Sequence, residues 1–184
     1  MDFVKLLLFA IGLCLPLASE LHRSVSAVAL KPLHGIGISL LAGAVQAALA
    51  LGGIYLGSIL KQGATGNAET LGIGLLVLVA IKMLIPLLAK KERPLYDISD
   101  WGTLISLLFA LGINTLLGAT GIGMMEETAT KVAVIACVLF GGCGFFFSET
   151  GIILGRQGIS IRHNTFMVAS LLLFLAAIMW HVAF

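Results

Sequence analysis

Charged residues are scarce in this chain. They make up 11% of its 184 residues, whereas apolar residues make up 59%, and the mean hydropathy is +1.10. Soluble domains carry about 25% charged residues, so a soluble protein is excluded. Because about 20 consecutive apolar residues are needed to cross a bilayer, the composition indicates an integral membrane protein embedded in the lipid bilayer.

Polar sequence long enough to form a further domain is also lacking. Apolar length predicts six transmembrane helices with short connections, so the predicted fold class is an all-α integral membrane protein. No soluble domain fits into the connections, which excludes catalysis by an appended module. The predicted helices cover residues 3–30, 36–60, 71–89, 101–125, 132–154 and 166–183.

Residue patterns typical of enzymes and of bound cofactors are missing. Cys14, Cys137 and Cys143 lie in apolar surroundings and form no Cys-x-x-Cys pair, which argues against a disulfide framework and a thiolate metal site. No arrangement of nucleophile and base can be assembled, and no lysine follows the glycines in a position to bind phosphate. The sequence therefore predicts neither an enzyme nor a cofactor.

The eleven basic residues are divided unevenly between the two sides of the predicted membrane protein. Basic residues favour the cytoplasmic side of the inner (cytoplasmic) membrane, so both termini are predicted to be non-cytoplasmic. A net charge of +2 distributed in this way gives no indication of nucleic-acid binding. Lys5, Lys61 and Lys131 lie on one side, Lys82 lies within helix three, and the other side has Arg23, Lys31, Lys90, Lys91, Arg93, Arg156 and Arg162.

The two halves of the chain resemble each other. Residues 7–13 (LLFAIGL) recur as residues 107–113 (LLFALGI), and residues 53–57 (GIYLG) recur as residues 151–155 (GIILG). Each half therefore contains three helices, and an odd number of crossings inverts the second half relative to the first. The predicted domains are a first three-helix repeat (1–89), a polar cytoplasmic linker (90–100) and a second three-helix repeat (101–184).

Two features of these repeats bear on helix packing. The Gly-x-x-x-Gly pairs Gly53/Gly57 and Gly151/Gly155 let helix backbones approach closely, and we predict packing within the chain, near the pseudo-twofold axis. Pro16 deprives helix one of a backbone hydrogen bond and predicts a kink. Such a kink either marks a ligand site near the membrane midplane or serves packing alone.

Three charged residues lie inside the apolar segments, namely Glu20, Lys82 and Glu149. An isolated charge is costly in the membrane, and all three fall in its predicted cytoplasmic half, so Lys82 is predicted to pair with Glu149 or Glu20. These residues either form a polar pocket that binds a cation or relays protons, or form a structural ion pair.

Neutral polar residues lie near the middle of helices two, four and five. They are Gln46, Asn114, Thr115 and Ser148, and they complete the candidate substrate pathway. Such residues serve either as ligands or as hydrogen-bonding links between helices.

Stretches spread over nearly the whole chain resemble the manganese efflux pump (MntP) family of the LysE transporter superfamily. The most specific is residues 148–156 (SETGIILGR), and weaker ones are residues 10–15, 43–46, 82–85 and 119–123. The resemblance implies six helices in an inverted repeat and a function in cation export.

The resemblance also implies a site with an aspartate in each half and supporting acids in helices two and three. Aligning the resembling stretches with the family places these four positions at Pro16, Leu116, Gln46 and Pro86, none of which is acidic. A hard divalent ion such as Mn²⁺ prefers several oxygen ligands with compensating negative charge. The sequence therefore does not identify the residues that would bind a metal.

Two functions remain open. The first is a small secondary transporter of a cation or another small solute, with a water-filled pocket between helices one, two, four and five. The second is a non-transporting structural or assembly subunit that packs its glycine-rich faces against other membrane subunits and has a filled interior. A thiol–disulfide relay is disfavoured, because Asn114 occupies the repeat position equivalent to Cys14.

Overall fold

The computed structural model describes residues 3–27, 32–64, 66–88, 95–126, 129–159 and 163–183. Within these ranges the chain is helical apart from short turns and contains no strand. All six helices are long and apolar enough to cross a membrane, which confirms the predicted fold class. They are α1 (Phe3–Ala27), α2 (Pro32–Gly63), α3 (Ala68–Leu88), α4 (Trp101–Met125), α5 (Ala129–Arg156) and α6 (His163–Ala183).

The helix ends differ from the predicted ones at a few places. Helix α2 begins at Pro32 and not at residue 36, although Gly35 and Gly37 weaken helix propensity there. A methyl group added at Gly35 would lie 3.1 Å from Ile152 Cγ2, so packing against α5 accompanies this extra turn. Residues 28–30, predicted as helix, and residues 89–94, predicted as helix end and linker, lie outside the described residues.

Helices α1 and α4 form the inside of the bundle. The apolar window of α1 is 78% buried and that of α4 is 50% buried, whereas the other four helices range from 28% to 39%. Helix α1 packs against α5 and α6, and α4 packs against α2 and α3. The first helix of each half thus contacts the second and third helices of the other half.

Helices α2 and α5 pack against each other in antiparallel orientation. Ser39 bonds to Glu149, and Gln46 lies beside Gly144, so residue numbers rise along α2 where they fall along α5. These two helices occupy equivalent positions in the two halves. Their antiparallel contact supports the inverted repeat, which stays a proposal.

The Gly-x-x-x-Gly pairs lie at contacts between helices of this chain. A methyl group added at Gly53 would lie 2.5 Å from the Leu116 carbonyl oxygen, and one at Gly155 would lie 2.7 Å from the His22 carbonyl oxygen. Gly57 and Gly151 likewise face the backbones of α4 and α1. A side chain at any of these four positions would push two helices apart.

Adjacent glycines on α2 test this packing directly. An alanine at Gly53 has no room, so we expect Gly53→Ala to lower the free energy of unfolding by about 1–3 kcal/mol. Nothing lies within 4 Å of a methyl group at Gly52, so Gly52→Ala should be neutral or stabilise the helix by up to about 1 kcal/mol. Unfolding in mixed detergent micelles measures both. Equal effects of the two substitutions would contradict the packing described here.

Asp100 caps the N-terminus of α4. Its Oδ2 accepts hydrogen bonds from the Thr103 backbone N–H at 2.8 Å and from the Thr103 hydroxyl at 2.7 Å. These bonds favour the charged carboxylate, so the pKa of Asp100 falls below its ordinary value of 3.8. The cap therefore stabilises α4 above that value and is lost as the pH falls through the lowered pKa.

Loss of this cap should be visible in the first turn of α4. We expect Asp100→Ala to reduce hydrogen-exchange protection of the Thr103 and Leu104 amides at neutral pH, because the cap is removed. Wild type should lose the same protection only below pH 3.8. Asp97→Ala is the control, since the Asp97 carboxylate bonds to Ser99 outside the helix. Unchanged protection in Asp100→Ala would rule out the cap.

Candidate functional site

Gln46 lies in the interior, where α2 meets α4 and α5. Its side chain is only 1% exposed. A methyl group at Gly144 would lie 3.0 Å from Gln46 Cβ and Cγ, and one at Gly112 would lie 3.7 Å from Nε2. These two glycines leave room for the glutamine between the helices. Both polar atoms of its amide are buried and make no hydrogen bond with the described residues.

Two further buried hydroxyl groups lie on the helices that pack against α2. Thr115 on α4 and Ser148 on α5 are both 0% exposed, and neither hydroxyl bonds to a described residue. Thr115 lies three residues after Gly112, and Ser148 four residues after Gly144, so each shares a helix face with a glycine that adjoins Gln46. Buried polar groups from three helices thus lie along the packing of α2 against α4 and α5.

Asn114 adds a fourth polar residue next to Thr115. Its Oδ1 is buried and likewise makes no hydrogen bond with the described residues. We call the group Gln46, Asn114, Thr115 and Ser148 the polar seam. Leaving one such buried group unpaired costs about 1–3 kcal/mol, so a hydrogen-bonding partner at any of these atoms would stabilise the protein.

A carboxylate lies further along the contact between α2 and α5. Ser39, which is 0% exposed, donates a hydrogen bond to Glu149 Oε2 at 2.7 Å. Glu149 directly follows Ser148, and Ser39 precedes Gln46 by seven residues, about 10 Å along α2. The contact between the two helices therefore carries neutral oxygens and, toward one end, a negative charge.

The predicted pairing of Lys82 with Glu149 or Glu20 is wrong. Glu20 Oε2 lies 3.7 Å from Arg23 Nη1, and Glu149 bonds to Ser39. Helix α3, which carries Lys82, packs against α4 and α6, whereas α1 and α5 pack against each other. The spacing of residues along the sequence gives the depth of each charge in the membrane, and the three depths are similar. It does not show on which side of the bundle each charge lies.

The inner helices carry no acid at their equivalent positions Pro16 and Leu116. Pro16 is buried in α1, which continues as helix to Ala27. The Leu116 carbonyl accepts a hydrogen bond from the Thr120 hydroxyl at 2.8 Å. A kink at Pro16 stays a prediction.

A pre-formed metal centre is absent from the described parts of the chain. No three His, Cys, Asp or Glu side chains there lie close enough together to hold a metal ion. Hydroxyl and amide oxygens with one carboxylate suit a hard cation that keeps much of its water shell. A cation held by such a set of oxygens would bind weakly and reversibly.

Three residues of this region were not predicted as part of the site. Ser39, Gly112 and Gly144 are placed there by helix packing, and the sequence gives no signal for them. The chain has 22 glycines, so no pattern distinguishes the two that adjoin Gln46.

Three cavities lie at other places among the described residues. The first, of about 600 Å³, is apolar and lies between the end of α2 and the start of α3. Another, of about 530 Å³, adjoins the start of α4, and a groove of about 260 Å³ runs between α2 and α5. None of the three is lined by a residue of the polar seam.

Comparison with known proteins identifies the family. The family described as "Putative manganese efflux pump" (Mntp) matches residues 29–182, a range that includes α2 to α5 and all of α6 except its last residue. Searches of curated proteins and of solved structures found no match. The family is one of transporters, which agrees with six candidate membrane spans in a multi-pass membrane protein. Since the match covers most of the chain, the chain belongs to the manganese efflux pump (MntP) family.

Proposed function

We propose that this protein is a secondary transporter that exports a small divalent cation of the Mn²⁺ type through the polar seam. The observation that carries the proposal is the presence of buried polar atoms, without hydrogen-bond partners among the described residues, on α2 and on the two helices that pack against it, α4 and α5. Family membership supports the class of substrate. The proposal places the protein in the inner membrane with both termini non-cytoplasmic, on the distribution of its basic residues.

The oxygen atoms of the polar seam suit a site that binds and releases a cation better than a site that retains it. Amide and hydroxyl oxygens replace part of a cation's water shell without the strong attraction of several carboxylates. A transport site must bind strongly enough to admit the ion and weakly enough to release it. Gln46 comes from the first half and the other three residues from the second, so rocking of the halves would open the seam.

A structural or assembly subunit is the second candidate. The observation in its favour is the lack of an acidic cluster among the described residues. The buried polar atoms weigh against it, because a purely structural interior pairs its polar groups or replaces them with apolar ones.

Replacing Gln46 separates a structural role from a ligand-binding role. Methionine has a similar volume, and it removes two polar atoms that have no partner among the described residues. We therefore expect Gln46→Met to unfold at the same or a higher detergent concentration than wild type, with a gain of up to about 3 kcal/mol. A loss of stability would mean that the amide makes structural hydrogen bonds.

Transport can be measured in proteoliposomes that contain a dye quenched by Mn²⁺. We expect wild type to move Mn²⁺ across the membrane, and Gln46→Met to reduce the rate at least about tenfold, since the seam loses its only amide from α2. Gln62→Met, at an exposed position near the end of α2, is the matched control and should retain the wild-type rate.

Failure of wild type to move Mn²⁺ would contradict the transporter. Stoichiometric co-purification with unrelated membrane subunits, detected by mass spectrometry in mild detergent, would then establish the structural alternative.

A further inference from the structure

Glu149 is a carboxylate in the membrane-spanning part of α5. It precedes Arg156 by seven residues, about 10 Å along the helix, and it is only partly exposed. Among the described residues it forms no ion pair, and it accepts a hydrogen bond from Ser39. A carboxylate at such a depth is costly unless its charge is compensated, and such residues in membrane proteins mark ion pathways.

The basic groups nearby do not supply that compensation. Glu149 lies on α5, which packs against α1 and α2. On α1, Arg23 is 3.7 Å from Glu20, and the His22 ring nitrogen Nε2 lies 2.8 Å from the Ile159 carbonyl oxygen. On α5 itself, Arg156 is exposed, and its Nη1 would lie 4.0 Å from a methyl group at Gly35 on α2. No basic group among the described residues therefore forms an ion pair with Glu149.

A serine hydroxyl on α2 bonds directly to this carboxylate. Ser39 Oγ is 2.7 Å from Glu149 Oε2, and its side chain is fully buried. Ser148, the preceding residue on α5, is also fully buried, and its hydroxyl bonds to no described residue. An unpaired polar group this deep, next to a carboxylate, is the second observation that points to a ligand.

We propose that Glu149 and Ser39 form a binding station for the transported cation, with Ser148 leading from it into the rest of the polar seam. The inference rests on the proposed function and adds the residue that attracts the ion. A hard divalent cation takes the carboxylate oxygen and the Ser39 hydroxyl, which rotates to present a lone pair. Water fills the remaining coordination positions, so binding is weak and release is fast.

The position of the station couples binding to the contact between the halves. Ser39 belongs to α2 of the first half, and Glu149 belongs to α5 of the second. A cation held by both residues joins the two helices. Separation of α2 from α5 removes one ligand and favours release.

Mn²⁺ transport by purified protein in proteoliposomes tests the station. We expect Glu149→Gln to raise KM for Mn²⁺ at least about tenfold, because a neutral amide replaces the carboxylate of the proposed station. Ser39→Ala should raise KM by a smaller factor, and Glu149→Asp should retain part of the wild-type affinity. Glu69→Gln is the control: it makes the same charge change at an exposed position in the first turn of α3 and should leave KM unchanged.

A binding measurement gives a second readout. Free Mn²⁺ in detergent solution has a paramagnetic resonance signal that weakens when the ion binds to protein. Wild type and Glu69→Gln should remove Mn²⁺ from solution equally, and Glu149→Gln should remove less. If Glu149→Gln does not fold, the Ser39→Ala and Glu149→Asp variants test the station instead. Wild-type KM and wild-type Mn²⁺ binding in both variants would contradict the station.

The two proposals fail in different ways. Wild type that transports Mn²⁺, together with a Glu149→Gln variant of unchanged KM and binding, contradicts the station and leaves the transporter in place. Wild type that neither transports nor binds Mn²⁺ contradicts both proposals.

Discussion

Close backbone contact between helices of different halves is the constraint on which this structure depends. Gly53 lies against the Leu116 carbonyl on α4, and Gly155 lies against the His22 carbonyl on α1. Inside a bilayer the hydrophobic effect does not drive helices together, so close packing and hydrogen bonds must do so. Glycine at these crossings brings α2 onto α4 and α5 onto α1. The same geometry places Gln46 beside Gly112 and Gly144, so the polar seam follows from the packing.

The buried hydroxyl groups of this protein differ in their hydrogen bonding. Thr120 and Ser170 donate to backbone carbonyls, as Ser and Thr commonly do in membrane helices. Thr115 and Ser148 are as deeply buried but have no such bond. A helical carbonyl lies one turn before each of these residues, yet neither hydroxyl bonds to it. This contrast is why the seam suggests a ligand and not merely a polar interior.

The sequence predicted the number, type and approximate limits of the helices, because the length of each apolar segment is visible in the sequence itself. It also singled out Gln46 and Glu149, since polar residues are rare in apolar segments. It failed for Lys82, because residue counting gives depth along a helix but not the neighbouring helix. Ser39 was missed for the same reason: its bond to Glu149 joins residues 110 positions apart. Both errors concern which helix faces meet, and a single sequence does not record that.

The proposed station lies at the depth where resemblance to the family implies an acid that this chain lacks. Gly151 lies against Ala18, and Gly155 lies against His22, so α1 and α5 run parallel here with a constant offset of 133 residues. At that offset Glu149 is level with Pro16, where resemblance to the family implies an aspartate. Negative charge would thus be kept at the same depth but on the neighbouring helix. A cation would then meet it at the contact between α2 and α5, beside the neutral oxygens of the polar seam, and the inner helix α1 is free to carry a proline.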